Sequence, residues 1–186
     1  MCLVVLAAST IHSSALIVLP FIFIVNGRAW NVRTVLFLVA IILSVLFLDR
    51  TTSFITNAMV NTEYERDISY FSTDDGTNIL RVLFYSVPAI MSLVYRPYIN
   101  RADDPLINVC ANLSIVAAGF YVFSYFTSGI LMGAIPIYFS LANYILLPWL
   151  INEVFSPASA VFIDTAFVGV YSYFFYYQVG VTWKLL

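Results

Sequence analysis

Six apolar runs, each close to the thickness of a bilayer in helical length, constrain this chain more than any other feature. A hydrocarbon core of about 30 Å takes about 20 residues at about 1.5 Å per residue. The runs Met1 to Phe23, Ala29 to Leu48, Ile79 to Tyr95, Leu106 to Tyr125, Leu131 to Ile151 and Ala158 to Val179 approach that length. None alternates with the two-residue period of a membrane barrel strand. The expected fold is therefore all-α: a polytopic transmembrane helical bundle of about six membrane helices, forming a single domain over 1–186. Pro20, Pro88, Pro136 and Pro148 fall inside these runs, where neighbouring helices can satisfy the carbonyls a proline frees.

Charge supports the same conclusion. Only 10% of the 186 residues are charged and 62% are hydrophobic, whereas a soluble domain carries about 25% charged residues. A net charge of −2 provides no basic field for nucleic acid. One His and two Cys exclude a zinc cluster of ordinary spacing, so neither a metal nor another cofactor is expected. Cys2 and Cys110 lie in apolar runs and read as reduced, packed thiols. Asn112 begins a match to a glycosylation acceptor, but inside an apolar run that no transferase reaches.

The connections set an orientation. "NGRAWNVR" carries Arg28 and Arg33, and "RPYINRADDP" carries Arg96 and Arg101. If every run crosses, both turns share one side, and their positive charge assigns that side to the cytoplasm. The segment from Asp49 to Asp75 has six acids against Arg50 and Arg66, so 49–77 is expected to be an extracytoplasmic loop. Loops of this length tend to be functional or self-structured. Its Tyr64 and Tyr70 either sit in the interfacial aromatic belt or stack on sugar rings. The pairs Asp74–Asp75 and Asp103–Asp104 read as solvated loop acids, with a divalent ion as the alternative.

Arg81 interrupts this pattern. Fourteen uncharged residues separate it from Arg96, which is about 21 Å of helix and short of the hydrocarbon core. With Arg96 at one boundary, Arg81 begins inside the other. Two explanations stand: the side chain snorkels to the interface, or it faces a cavity as an anion site. Arginine suits phosphate oxygens because its planar fork binds them bidentately and keeps its charge. Tyr85, at i+4, shares its face. Asp164, well inside the last run, suits a structural or gating role.

"GTNILRVLFYSVPAIMSLVYRPYI", followed by "SGILMGAIPIYFSLANYILLPWLI", resembles the EpsG family of bacterial exopolysaccharide polymerases, related to Wzy-type polymerases. "ASTIHSSALIVLP" resembles that family's His-containing helix. The resemblance implies that the chain is the C-terminal part of a longer polymerase in the bacterial cytoplasmic (inner) membrane. Such a protein joins sugar repeat units carried on undecaprenyl diphosphate at the outer face. It would be a metal-independent glycosyltransferase with lipid-diphosphate donors, working beside other polysaccharide assembly proteins. Arg81 would then hold the leaving diphosphate. His12 would be the base or a donor to substrate, unless it is a neutral imidazole bonded between helices. Tyr138 would offer a substrate-facing hydroxyl on the strength of the resemblance alone. One departure counts against activity: Ala134 stands where the family usually carries an arginine, four residues before Tyr138 and Phe139. A transporter or flippase, or a non-catalytic partner of an assembly machine, are the competing functions.

Overall fold

The computed structural model describes all residues except 1, 11–12, 63–64, 74 and 183–186. The helices are α1 (Cys2–Ser9), α2 (Leu19–Val25), α3 (Val32–Leu46), α4 (Leu48–Met59), α5 (Tyr70–Thr73), α6 (Ile79–Val94), α7 (Arg96–Ala102), α8 (Pro105–Phe126), α9 (Ile137–Ser140), α10 (Asn143–Val154) and α11 (Pro157–Tyr177). Short 3₁₀ segments at Ser13–Val18 and Glu65–Ser69 join them. No strand occurs among the described residues. The chain divides into two compact units, Met1–Leu146 and Leu147–Leu186.

The all-α expectation holds, but the six runs are not six equal spans. Two described segments, Pro105–Phe126 and Pro157–Gly180, are long and apolar enough to cross a membrane. The count rises to four if α3 with α4 and α6 with α7, bent by 102° and 67°, are each one span. The first run is broken into α1, a 3₁₀ segment and α2, which has Pro20 in its first turn. The fifth is broken around Gly133 and Pro136, leaving turns ahead of the four-residue α9.

In the first unit α8 is the axis, buried on nearly every side. A surface helix shows an apolar stripe and a polar one; α8 is apolar all round because α3, α6, α2 and α9 all pack on it. Val25, Val116, Ala117 and Phe139 form one cluster, with Phe21, Phe37 and Phe120 against it. Ala89, Ile115 and Ala118 form another under Trp30 and Leu38.

Two asparagines in α8 fasten the turn between α2 and α3. Asn112 Oδ1 accepts from Trp30 N–H at 2.9 Å, and its Nδ2 donates to the carbonyls of Val25 (2.9 Å) and Arg28 (3.1 Å). Asn108 Oδ1 accepts from Ala29 N–H at 2.8 Å. The glycosylation match at Asn112 is thus a fully buried structural amide. The turn also meets the connection between α6 and α8. Trp30 Nε1 donates to Ser92 Oγ at 3.0 Å, Arg96 donates to the Trp30 carbonyl at 3.4 Å, and Arg28 lies 3.9 Å from Asp103. The two arginine-bearing turns therefore sit together at one end of the unit. Asp103 and Asp104 act as helix-end residues: Asp103 takes the left-handed conformation after α7, and Asp104 Oδ1 accepts from Leu106 N–H at 2.7 Å to cap α8.

The segment 49–77 is not a plain loop. It begins with α4, turned across the end of α3, whose half-buried residues Leu48, Thr52, Ile55, Thr56 and Met59 recur at helical spacing. The segment returns through Gly76 to α6, where Thr77 N–H donates to the Ser124 carbonyl at 3.0 Å and Ser124 Oγ donates to Thr77 Oγ1 at 2.8 Å. In the second unit α11 is capped by Ser156 and carries Asp164, half-buried, in its second turn.

Candidate functional site

Arg81 occupies the first turn of α6, after Asn78, whose side chain accepts from Leu80 N–H. No acid occupies that turn. A helix N-terminus carries roughly half a positive charge, so a cation there raises a potential that is already positive. An isolated helix loses stability by this placement; an anion drawn to the same spot meets both charges.

The side chain turns inward. Its guanidinium lies 5.4 Å from the centroid of the Tyr121 ring, on α8. Tyr121 is fully buried and stacks on Tyr85 with centroids 4.6 Å apart and planes at 14°. Arg81 and Tyr85, one turn apart on α6, therefore converge on a single tyrosine of the facing helix. A cation over an aromatic face gains about 0.5–1 kcal/mol in water and about 2 or more when desolvated.

Two polar atoms at this contact are left open. Arg81 Nε and the Tyr121 hydroxyl are both buried without a hydrogen-bond partner. The guanidinium and the Ser140 hydroxyl both lie beside that oxygen, but neither meets it with hydrogen-bond geometry. A third open atom lies deeper in the same unit, at Asn143 Nδ2. Asn143 Oδ1 accepts from Ser114 Oγ at 2.5 Å, and Ser114 is two turns of α8 before Tyr121. Buried polar groups are ordinarily satisfied, and an unmet one costs about 1–3 kcal/mol. Among the described residues the ion pair present is Arg28 with Asp103, so Arg81 faces no carboxylate. The guanidinium thus carries a buried, unpaired Nε–H and is held by the ring beneath it.

The other expected site residues are distributed differently. Tyr85 joins Arg81 through Tyr121. Tyr138 stands with Ala134 along an apolar cavity of about 520 Å³ that Ile55, Met59 and Phe123 also line. Tyr70 is exposed on α5, while its neighbour Phe71 packs toward Ile41, Phe123 and Met132. Asp164 belongs to the second unit. His12 and Tyr64 lie outside the described residues. No group of three or more His, Cys, Asp or Glu suited to a metal occurs among the described residues.

Tyr121 escaped the sequence reasoning because "GFYVFSYF" reads as apolar filler. A usable signal was present: a hydroxyl-bearing ring in a helix with no polar face must find a partner inside the protein.

A family model described as the EpsG family matches residues 1–182 of the chain. No curated protein and no solved structure matches it.

Proposed function

The chain belongs to the EpsG family, and from that premise we propose that it is a polysaccharide polymerase. It joins undecaprenyl-diphosphate-linked sugar repeat units at the outer face of the bacterial inner membrane. The observation that carries this reading is Arg81: inward-facing, over Tyr121, with Nε unpaired and no carboxylate opposite it among the described residues.

In the reaction, a hydroxyl of the incoming lipid-linked unit attacks the anomeric carbon of the growing chain. The new C–O bond forms as the bond from that carbon to the diphosphate oxygen breaks, and the electron pair leaves with the lipid diphosphate. Negative charge grows on the departing oxygens, and a fixed cation beside them stabilises the transition state more than the ground state. Arg81 serves that role, and the positive end of α6 adds to it. The attacking hydroxyl gives up its proton to a base, for which His12 is the candidate. Tyr85 supports the ring that holds Arg81, and Tyr138, Tyr64 and Tyr70 are the candidate saccharide contacts. Arg81, Tyr85 and Tyr121 use no metal in this scheme.

Ala134 favours a second reading, a non-catalytic membrane partner in polysaccharide assembly. An arginine missing from a phosphate site removes charge that alanine cannot replace. The rival predicts that Arg81 is dispensable.

Complementation of a polymerase-null strain decides between them, with membrane levels of each variant measured in parallel. Arg81→Ala is expected to lower polymer formation by about 100-fold or more, the loss typical of removing one transition-state donor. Arg81→Lys retains charge without the fork and should fall between. Normal-length polymer from the alanine variant overturns the catalytic role.

A further inference from the structure

We propose that the cavity under α4 is a saccharide subsite, taking one sugar ring of the lipid-borne unit; the inference rests on the polymerase reading above for the identity of the ligand. The cavity measures about 330 Å³, and its lining includes Asp49, Thr52, Ser53, Thr56, Phe71, Phe126 and Thr127. Its volume falls at the lower end of the about 300–1,000 Å³ usual for small-molecule sites.

Its chemistry selects the ligand class. Ser53 Oγ donates to the Asp49 carbonyl at 2.7 Å, Thr56 Oγ1 to the Ser53 carbonyl at 3.1 Å, and Thr127 Oγ1 to the Phe123 carbonyl at 2.9 Å. Each of these hydroxyls has spent its proton on the backbone and keeps only acceptor lone pairs. The Asp49 carboxylate accepts as well, and neither it nor the Thr52 hydroxyl has a side-chain partner among the described residues. The cavity is therefore rich in acceptors, with no cation among its described lining residues. It repels phosphate and takes a ligand that presents several O–H donors. A carboxylate receiving hydroxyl protons makes the stronger, charge-assisted kind of hydrogen bond. Phe71 and Phe126 supply apolar faces suited to the C–H face of a sugar ring. A divalent cation is a poorer fit, since the set has a single carboxylate and is otherwise neutral hydroxyls, whereas tight cation sites draw on several carboxylates.

The location suits the same molecule. Phe126 and Thr127 follow Tyr121 by five and six residues, about 8 Å along the axis of α8. A diphosphate at Arg81 and a sugar ring under α4 would thus be neighbours at one end of the unit, with phosphate-attracting and phosphate-repelling surfaces side by side.

The test uses the full chain in nanodiscs and three probes: undecaprenyl diphosphate alone, the same lipid carrying the repeat unit isolated from the producing cells, and the repeat unit freed from its lipid. Asp49→Asn, Thr52→Val and Phe71→Ala should each weaken the glycosylated lipid by about tenfold, leave undecaprenyl diphosphate unchanged, and remove ring-proton saturation transfer to the free repeat unit. Arg81→Ala should weaken both lipids. Asp49→Asn alters an exposed carboxylate and keeps the comparison usable if Phe71→Ala does not fold. Unchanged affinity of all three cavity variants for the glycosylated lipid overturns the subsite, as does equal loss of both lipids. Calcium or magnesium binding that depends on Asp49, without saturation transfer to the free repeat unit, overturns it in favour of a cation. Failure of the wild type to bind undecaprenyl diphosphate overturns the Arg81 reading alone, because the free repeat unit still reports on the cavity.

Discussion

At the scale of single residues, the side chains that matter most are polar ones placed where water is scarce. Asn112 and Arg81 show the two outcomes. Asn112 spends its donors and its acceptor on the backbone of the turn between α2 and α3, so it is structural. Arg81 keeps Nε open, and an unmet buried donor is tolerated where something else fills it. Tyr121 separates two contributions to that site. Tyr121→Phe keeps the ring under the guanidinium and removes only the hydroxyl, so polymer formation should stay within about threefold of wild type. Tyr121→Leu removes the ring, and the loss of about 1–2 kcal/mol of cation–π attraction in a desolvated site corresponds to about 5–30-fold. Chain-length analysis of extracted polymer reads the difference. Equal effects of the two substitutions would mean that the hydroxyl, and not the ring, is what positions Arg81. Arg81 was legible in the sequence because charge in an apolar run stands out; Tyr121 was not, because its partner lies on another helix.

At the scale of elements, the turn before α6 sets where that helix begins, and hence where Arg81 sits. Gly76 has φ +81°, and a Cβ there would fall 2.4 Å from the Tyr125 carbonyl oxygen. Gly129 also lies against the Gly76 backbone, with its added Cβ 2.7 Å from the Gly76 carbonyl carbon. Both positions need hydrogen in place of a side chain, the first for its left-handed conformation and both for close backbone approach. Gly76→Ala should therefore lower the thermal unfolding midpoint in detergent by several degrees and reduce polymer formation, with the Thr77–Ser124 contact disturbed. An unchanged midpoint would mean that this turn relaxes freely and does not anchor α6. The sequence marked 49–77 as the polar region but not the helix that opens it. Leu48, Ile55 and Met59 repeat at helical spacing, yet among threonines and a Phe54 on the other face the stripe is easily taken for a loop. The 102° bend after α3 follows the composition: α3 is almost entirely apolar from Val35 to Leu46, whereas α4 is amphipathic.

At the scale of the whole molecule, the arginine turns and the acidic segment should lie on opposite sides of the membrane. The contacts of Arg28 with Asp103 and of Arg96 with the Trp30 carbonyl join the two basic turns, while α4 and its following segment leave from the far end of α3. With both native cysteines replaced, single cysteines at Arg28→Cys and Arg101→Cys should be labelled by an impermeant maleimide only after the membrane is opened. Arg66→Cys should be labelled in intact cells. Labelling of all three from one side would overturn the orientation on which outer-face chemistry depends. The division between what was readable and what was not is physical. Apolar run length, low charge and the absence of two-residue alternation determined a helical membrane protein from the sequence alone, because a bilayer leaves a chain few ways to satisfy its backbone. The odd charge at Arg81 and the arginine asymmetry of the turns were local facts and were equally readable. How many runs stay straight, that Tyr121 lies under Arg81, and that Ala134 and Tyr138 share an apolar cavity were decided only by the tertiary structure. Those features depend on which helix faces which, and packing between helices is set by pairs of residues far apart in the chain.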